Sequence, residues 1–337
     1  MRWQGQSLDA DDGALPGLSR ADFVRTVRTP EFDGITFHEV LCKSALNEVP
    51  ESSKLPFRWT VNPIRGCSHA CRYCFARPTH EYLELDAGAD FDSQLVVKTN
   101  VAAVLRRELR RKSWRREPVA LGTNTDPYQR AEGRYRLMPG IIRALAASGT
   151  PFSVLTKGTL LRRDLPLLAS AAGEVPVRLA VSLCMLDPEL HRGLEPGTPA
   201  PKARLELIAA LADAGFAVNV MVAPVIPYLT DGSEQLDALF AALARAGAES
   251  ATAFPLHLRG STKGWFLGWV AEHHPALLRR YRQLYGRGAQ VSPEYASWLR
   301  GRVDPLRERH GLVRDSVVSA PAPRPEPGPA PQLALFG

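Results

Sequence analysis

Residues 66–74 read Gly-Cys-Ser-His-Ala-Cys-Arg-Tyr-Cys, and this segment decides how the rest of the chain is interpreted. It places Cys67, Cys71 and Cys74 in a C-x3-C-x2-C spacing, directly after a short apolar run at Arg58–Pro63 that predicts a strand. Three thiolates on one short loop are suited to bind three irons of a cubane iron–sulfur cluster. The fourth iron then has no protein ligand and is open to a substrate or cofactor.

Two other interpretations of these cysteines stay open from the spacing alone. A structural zinc site needs a fourth ligand; His69 is too close in sequence to complete it easily, whereas Cys42 and Cys184 are distant but available. Alternatively, the cysteines are buried thiols or form a disulfide. Five cysteines, three of them within eight residues, are a poor disulfide framework and a suitable metal-binding one in a reducing compartment.

The composition of the 337-residue chain predicts a globular protein. Apolar residues make up 45% of it, which excludes disorder throughout. Lys and Arg number 42 against 35 Asp and Glu, for a net charge of +7 at pH 7. No apolar run reaches the roughly 18 residues that span a bilayer, and the first residues lack the pattern of a signal peptide. We therefore expect a cytoplasmic protein that is not associated with a membrane.

Strand-like and helix-like segments alternate along the middle of the chain. Pro201–Ala214 and Glu234–Ala246 have the apolar periodicity of amphipathic helices. Serial β–α units predict an α/β fold, a parallel sheet or partial barrel whose active site lies at the carboxyl ends of the strands. The predicted strands are Arg58–Pro63, Pro118–Gly122, Pro151–Leu155, Val177–Ser182, Ala217–Ala223 and Ser250–Leu256.

Three segments flank this core, which we place at residues 55–260. Residues 1–54 have no long periodic segment and are predicted to be an N-terminal extension that packs on the core. Residues 261–318 are rich in Trp and Tyr and are predicted to form a helical C-terminal cap. Residues 319–337 contain a Pro/Ala tract that cannot build a core, so we expect a disordered, extended tail.

The cysteine segment and three further stretches resemble the radical SAM superfamily, in particular the branch that contains spore photoproduct lyase and its uncharacterised relatives similar to DNA repair photolyases. The resemblance covers roughly residues 55–260. It implies a partial (β/α)6 barrel, a 4Fe-4S cluster bound by the three cysteines, and S-adenosylmethionine as the second cofactor. The matching stretches are NPIRGCSHACRYCFAR (62–77), GTNTDPYQ (122–129), LTKGTLLRRD (155–164) and the segment 195–227.

The resemblance also implies which residues contact S-adenosylmethionine. Tyr73 fills the aromatic place of the cysteine motif, beside the adenine. Lys157 matches a lysine that contacts S-adenosylmethionine in the lyase, and Ser182 matches a ribose or carboxylate contact. Asp126 lies in the loop that holds the methionine ammonium in other members. An Asp directly before Pro127 equally predicts a turn cap, so both roles stay open for it.

The activity implied by the resemblance is reductive cleavage of S-adenosylmethionine to a 5′-deoxyadenosyl radical that abstracts hydrogen from a substrate. The implied substrate is nucleic acid, in DNA repair or modification, and the implied electron donor is a low-potential protein such as flavodoxin or ferredoxin. Two alternatives remain. One is the same chemistry on a peptide or small molecule; the other is a non-catalytic, metal-stabilised protein that binds nucleic acid or a sliding clamp.

The chain departs from the lyase at two positions. Thr123 aligns with the cysteine that donates hydrogen in the lyase, and Phe75 aligns with one of its two relay tyrosines. The lyase's own reaction is therefore not expected in unchanged form. Cys184 is the candidate catalytic substitute, because strand alternation would direct both it and Ser182 into the barrel. A small buried apolar residue is the alternative interpretation of Cys184.

Seven cations between residues 106 and 116 predict a basic stripe on one helix face, with Arg107, Arg111 and Arg115 at successive i, i+4 positions. Such a stripe would neutralise the phosphates of DNA or RNA. The alternative is a solvated helix face on which Glu108 and Glu117 are partial partners.

The end of the chain predicts a protein partner. Residues Gln332–Phe336 read QLALF and resemble the pentapeptide by which bacterial repair and replication proteins dock on the sliding clamp. An exposed apolar anchor on a flexible tether is otherwise an aggregation liability, so its presence favours a binding role.

Overall fold

The computed structural model describes residues 22–53 and 55–313. The predicted clamp-binding segment Gln332–Phe336 and the Pro/Ala tract lie outside the described residues. The strands are β1 (Phe23–Val27), β2 (Thr36–Val40), β3 (Leu46–Glu48), β4 (Trp59–Val61), β5 (Ile64–Arg65), β6 (Gln94–Lys98), β7 (Val119–Leu121), β8 (Phe152–Thr156), β9 (Val177–Ser182), β10 (Val218–Val225) and β11 (Ser250–Pro255).

The helices connect these strands and close the carboxyl end of the chain. The α-helices are α1 (Ala89–Ser93), α2 (Val101–Leu109), α3 (Arg130–Tyr135), α4 (Met138–Ala147), α5 (Leu165–Ala172), α6 (Pro188–Leu194), α7 (Pro201–Asp213), α8 (Ser233–Arg245), α9 (Thr262–His273), α10 (Leu278–Tyr285) and α11 (Pro293–Arg309). Short 3-10 helices span Pro30–Phe32, Glu51–Ser53, Arg77–Leu83, Thr159–Asp164 and Pro275–Leu277. No helix in the described part of the chain is both long and apolar enough to cross a membrane.

The main sheet has seven strands in the order β11-β10-β9-β8-β7-β4-β3. Six of these strands pair in parallel, in the order in which they occur along the chain: β4, β7, β8, β9, β10 and β11. Strand β3 joins the edge antiparallel to β4. The sheet is open, because β3 and β11 lie at its opposite edges. The prediction of an α/β fold with a parallel sheet or partial barrel is confirmed, and the six predicted strands correspond to these six.

The strands of the main sheet are apolar because helices cover one of its faces. Val218, Val220 and Val222 of β10 are fully buried and alternate with half-buried neighbours. On α7, Leu207, Ile208 and Leu211 form the buried face. Parallel strands that are enclosed in this way read as apolar runs in sequence, which is why the pattern was predictable.

The N-terminal residues form more regular structure than their sequence indicates. Strands β1 and β2 join β6 and β5 in a second sheet, ordered β1-β2-β6-β5, in which β2 is parallel to β6. All five residues of β2 are buried, although three of them are polar. His38 pairs with the Gln94 side chain at 2.9 Å, and Glu39 accepts hydrogen bonds from Arg25 and Tyr135. Buried polar residues that pair with side chains of other elements concealed this strand from a search for apolar periodicity.

The prediction of a basic helix face at residues 106–116 is wrong. Helix α2 ends at Leu109, so Arg111 and Arg115 do not continue a helical stripe with Arg107. The chain turns because the Trp114 indole donates to the Thr150 hydroxyl at 2.9 Å and packs edge-on against Trp59. A half-buried aromatic contact has prevailed over the helix-favouring Arg composition of this segment.

In the alternative interpretation, the solvated cations are what the structure shows, whereas the carboxylate partners Glu108 and Glu117 are wrong. Glu108 accepts the backbone N–H groups of Ala45 and Leu46, and Glu117 accepts the Trp59 indole N–H. Neither carboxylate is a partner of the cations that follow α2. Those cations are exposed, and none of them lies within ion-pair distance of a carboxylate in residues 22–53 and 55–313.

Candidate functional site

The cysteine loop lies in a cleft at the carboxyl ends of the parallel strands. Cys67, Cys71 and Cys74 all line this cleft, which encloses about 510 Å³. Residues that follow β7, β8 and β11 line it as well, as expected for the open end of a parallel sheet. All five cysteines of the chain are free thiols, so the disulfide alternative is not what the structure shows.

The three thiols fit an iron–sulfur cluster better than a single metal ion. Burial and the nearby Cys67 raise the pKa of Cys74 to about 11, and burial raises the pKa of Cys71 well above its usual range, so these two thiols need a cation to ionise. Among the described residues, no three His, Cys, Asp or Glu side chains converge as ligands of one metal ion. A cubane cluster takes one thiolate per iron, so its cysteines do not converge on one atom. The donor set therefore fits a cluster held by Cys67, Cys71 and Cys74.

A fully buried arginine fixes the cysteine loop. The Arg77 guanidinium donates to the carbonyl oxygen of Cys71 at 2.9 and 3.0 Å, and to that of Gly88 at 2.7 Å. It also forms an ion pair with Asp92 at 2.9 Å. Sequence reasoning missed Arg77, although an arginine three residues after the last cysteine was available as a signal.

Lys157 brings three of the predicted cofactor-binding residues together. Its ammonium donates to the Ser182 hydroxyl at 2.7 Å and lies 3.3 Å from the Tyr73 hydroxyl. All three residues line the cleft that contains the cysteines. The ammonium also forms an ion pair with Glu195 at 3.0 Å. The structure thus places these residues where a cofactor at the cysteine loop would meet them.

Glu195 is a central residue of the site that sequence reasoning missed. It is fully buried and accepts hydrogen bonds from Tyr73, Lys157 and Arg204. Burial by itself would raise the pKa of this carboxyl, but Arg204 and Lys157 hold its pKa well below the usual range. Arg204 is also fully buried and lies on the inner face of α7. The four side chains form one charged network beneath the cleft.

Asp126 caps a turn in the structure. Its carboxylate accepts the Thr156 hydroxyl at 2.5 Å, the Lys157 backbone N–H at 2.6 Å and the Tyr128 backbone N–H at 2.9 Å. Burial would lower the pKa of His69, but Asp126, 3.4 Å away, raises it to about 10. The turn-cap interpretation is therefore what the structure shows, and a contact of Asp126 with S-adenosylmethionine stays a prediction.

Cys184 lies behind Tyr73, outside the set of residues that line the cleft. Its sulfur is 3.5 Å from the Tyr73 hydroxyl and 3.4 Å from Glu195, and it borders a separate cavity of about 180 Å³. Strand β9 ends at Ser182, so the alternation expected to direct Cys184 into the barrel does not extend that far. Its catalytic role stays a prediction.

The rim of the cleft exposes apolar side chains. Phe75 follows the last cysteine and is 50% exposed, and Phe254, near the end of β11, is also 50% exposed. Leu55 is 52% exposed at the same rim. Exposure of two phenylalanines on one cleft favours a ligand with a planar apolar face.

Close backbone packing holds the loop that carries Lys157, which leads to a stability prediction. A Cβ atom at Gly158 would lie 2.0 Å from the Tyr128 carbonyl oxygen. We expect Gly158→Ala to lower the free energy of unfolding by about 1–3 kcal/mol, the usual cost of overpacking. Gly301→Ala is the matched control, because a Cβ there meets no atom within 4 Å in helix α11. The control should be neutral or stabilising by up to about 1 kcal/mol in urea unfolding; equal destabilisation by both changes would contradict the packing argument.

Comparison with known proteins gives a family and a set of relatives. The sequence profile of the radical SAM superfamily matches residues 61–240. Uncharacterized proteins of Mycobacterium tuberculosis and Mycobacterium bovis are 66% identical over 326 residues, which cover 95% of this chain and 96% of each relative. An uncharacterized protein of Acidianus two-tailed virus is 28% identical over 210 residues, covering 60% of this chain and 68% of the viral protein.

Solved structures share the fold. Spore photoproduct lyase complexed with dinucleoside spore photoproduct superposes with a TM-score of 0.60 at 17% identity, covering 81% of this chain and 79% of the lyase. A variant of that lyase with bound S-adenosylmethionine and the same dinucleoside gives 0.58 at 16% identity, with coverages of 79% and 76%. At this identity the likeness establishes a common fold.

Proposed function

The chain belongs to the radical SAM superfamily, and from this premise we propose that it is an enzyme that abstracts hydrogen from nucleic acid, in DNA repair or modification. Members of the superfamily use a 4Fe-4S cluster and S-adenosylmethionine. The observation that carries the proposal is the cleft itself, in which the three cysteines, Lys157 and two exposed phenylalanines share one cavity.

The cofactors would supply the reactive species, and this chain's residues would position them. When bound, a 4Fe-4S cluster and S-adenosylmethionine would supply one-electron reductive cleavage of the sulfonium and, through it, abstraction of a hydrogen atom from the substrate. Cys67, Cys71 and Cys74 would bind the cluster, while Tyr73, Lys157 and Ser182 present polar groups beside it. The apolar rim would keep water away from the reacting groups.

The proposal that the substrate is a nucleic acid depends on the exposed phenylalanines at the rim of the cleft. Nucleobases stack on exposed aromatic side chains whatever their sequence, because every base has a π face. Phe75 and Phe254 offer such faces at the mouth of the cleft. Spore photoproduct lyase, which shares the fold, binds a dinucleoside in its solved structures. These observations favour a nucleotide over a peptide or a small molecule as the substrate.

We expect the double change Phe75→Ala and Phe254→Ala to weaken binding of a fluorescein-labelled single-stranded oligonucleotide. Loss of one stacked base costs about 1–3 kcal/mol, or roughly a 5- to 150-fold rise in Kd. Fluorescence anisotropy with the anaerobically reconstituted protein measures it. Tyr82→Ala is the control, because Tyr82 is 67% exposed and does not line the cleft. An unchanged Kd in the double variant, or an equal change in the control, would contradict a nucleotide substrate held by the rim.

Three further predictions from the sequence remain part of the proposal. A low-potential donor such as flavodoxin or ferredoxin would supply the electron, and a cytoplasmic location is expected from the composition. Docking on a sliding clamp through Gln332–Phe336 depends on the sequence alone, since that segment lies outside the described residues.

A further inference from the structure

Four arginines lie on and just after α10, a helix that is bonded through Tyr285 to Leu256 of the cleft lining. We propose that these cleft-mouth arginines, Arg279, Arg280, Arg282 and Arg287, bind the phosphodiester backbone of the nucleic-acid strand whose base enters the cleft. The inference rests on the proposed function and names the surface that holds its substrate. The predicted basic stripe at residues 106–116 does not occupy this position.

The packing of α10 attaches the helix next to the cleft. The Tyr281 hydroxyl donates to the Pro227 carbonyl oxygen at 2.5 Å, just beyond the end of β10. The Tyr285 hydroxyl donates to the Leu256 carbonyl oxygen at 2.7 Å, and Leu256 lines the cleft. Both tyrosines are buried, so the opposite face of the short helix points outward. Helix α10 is therefore attached to the carboxyl ends of two strands that form the site.

The outward face of α10 carries unneutralised positive charge. All four cleft-mouth arginines are exposed. Within the described ranges, none of them lies within 4.0 Å of a carboxylate. The Arg280 guanidinium stacks 4.1 Å from the centroid of the Tyr228 ring, which orients it without neutralising it. Nearby Lys263 differs, because its ammonium donates to the carbonyl oxygens of Gly286 and Gly288.

Arginine chemistry and position together point to phosphate. The guanidinium is always charged and matches phosphate with two parallel N–H donors. The lining of the cleft, in contrast, contains one lysine and no arginine, and that lysine is paired with Glu195. A base would enter the apolar cleft past Phe254, while its charged backbone would stay outside on α10. The apolar cleft thus suits the base of a nucleotide, and the cationic surface of α10 suits its phosphate.

The basic segment at residues 106–116 lies at the other end of the sheet. Trp114 within it contacts Thr150, which precedes β8, and Trp59, the first residue of β4. The amino ends of the parallel strands are opposite the cleft. This segment therefore serves as a control of equal charge and different position.

The test compares two triple variants of the full-length protein, each of which removes three positive charges. One is R279A/R280A/R282A, and the control is R106A/R107A/R110A. Anisotropy with a fluorescein-labelled single-stranded 20-nucleotide DNA, and with RNA of the same sequence, gives Kd over a range of salt. Loss of three phosphate contacts lowers the slope of log Kd against log salt by about 2, and weakens binding roughly 10- to 100-fold at about 0.1 M salt. We expect this in the α10 variant, with less than about a threefold change in the control.

Several outcomes would overturn the inference. Equal losses in the two triple variants would mean that net charge matters and position does not, and no loss in the α10 variant would mean that this surface does not bind the strand. A variant that loses binding to phosphatidylglycerol vesicles but keeps its affinity for DNA and RNA would assign the surface to a membrane. In contrast, R279K/R280K/R282K should keep most of the salt slope, because it retains the charge.

The inference and the proposed function fail separately. Formation of 5′-deoxyadenosine from S-adenosylmethionine and dithionite, measured without nucleic acid, tests the cofactor chemistry. The α10 variant should still form 5′-deoxyadenosine, because the three replaced arginines do not contact the cysteine loop or Lys157. An α10 variant that forms 5′-deoxyadenosine and binds DNA and RNA as tightly as the wild type would overturn the inference alone, whereas a wild-type protein that binds neither nucleic acid would overturn the proposed substrate as well. A wild-type protein that forms no 5′-deoxyadenosine would overturn the proposed function.

Discussion

Replacing Cys71 with Ala is expected to abolish both the iron–sulfur cluster and the formation of 5′-deoxyadenosine. Cys71 is buried, lines the cleft and is one of three thiols that fit a cubane cluster. With two protein ligands the cluster cannot be held as the structure arranges it. Iron and sulfide analysis after anaerobic reconstitution, the visible spectrum, and chromatography of the nucleoside product measure both losses.

Cys42→Ala is the matched control for this prediction. Cys42 is half-buried and does not line the cleft, and its backbone N–H and carbonyl groups are bonded to the Asn100 side chain. The substitution leaves those backbone hydrogen bonds in place, so we expect wild-type iron content and wild-type yield of 5′-deoxyadenosine. A Cys71→Ala protein with full iron, sulfide and product, or a Cys42→Ala protein that lacks them, would contradict the assignment of the ligands.

Glu195→Ala is expected to lower the free energy of unfolding by about 3–5 kcal/mol, as is usual when one partner of a buried ion pair is removed. The carboxylate is fully buried and neutralises both Lys157 and Arg204. Its loss leaves two cations beneath the cleft without their anion. Urea unfolding of the full-length protein, followed by circular dichroism, measures the effect as a lower midpoint.

Glu189→Ala is the control of equal charge for Glu195→Ala. The Glu189 side chain is 86% exposed and meets Arg192 at 3.8 Å, so its loss should change stability by less than about 0.5 kcal/mol. If Glu195→Ala unfolds at the midpoint of this control, then Glu195 does not balance the buried cations, and the network is not structural.

The sequence predicted the main sheet well, because its strands are enclosed by helices and contain few polar residues. Val177–Ser182 was predicted with the bounds that β9 has. It did not predict β2, whose buried Thr36, His38 and Glu39 are paired with distant side chains. Buried polar residues remove the apolar signal on which strand prediction depends.

Sequence patterns predicted the part of the candidate site that lies within one local motif. The cysteines and Tyr73 lie within one short segment, whereas Glu195 meets Tyr73 across 122 positions of the chain. One signal for the network was available. Arg204 occupies the same helix face as Ile208 and Leu211, and a charged residue on an apolar stripe indicates a buried partner.

The most direct test of the account is transfer of deuterium from a nucleic acid to 5′-deoxyadenosine. The reconstituted enzyme is reduced in the presence of S-adenosylmethionine and of DNA or RNA deuterated in its bases and sugars, and the nucleoside is analysed by mass spectrometry. We expect 5′-deoxyadenosine that carries deuterium, and no 5′-deoxyadenosine from the Cys71→Ala protein. Product that forms in the presence of either nucleic acid and contains no deuterium would contradict it.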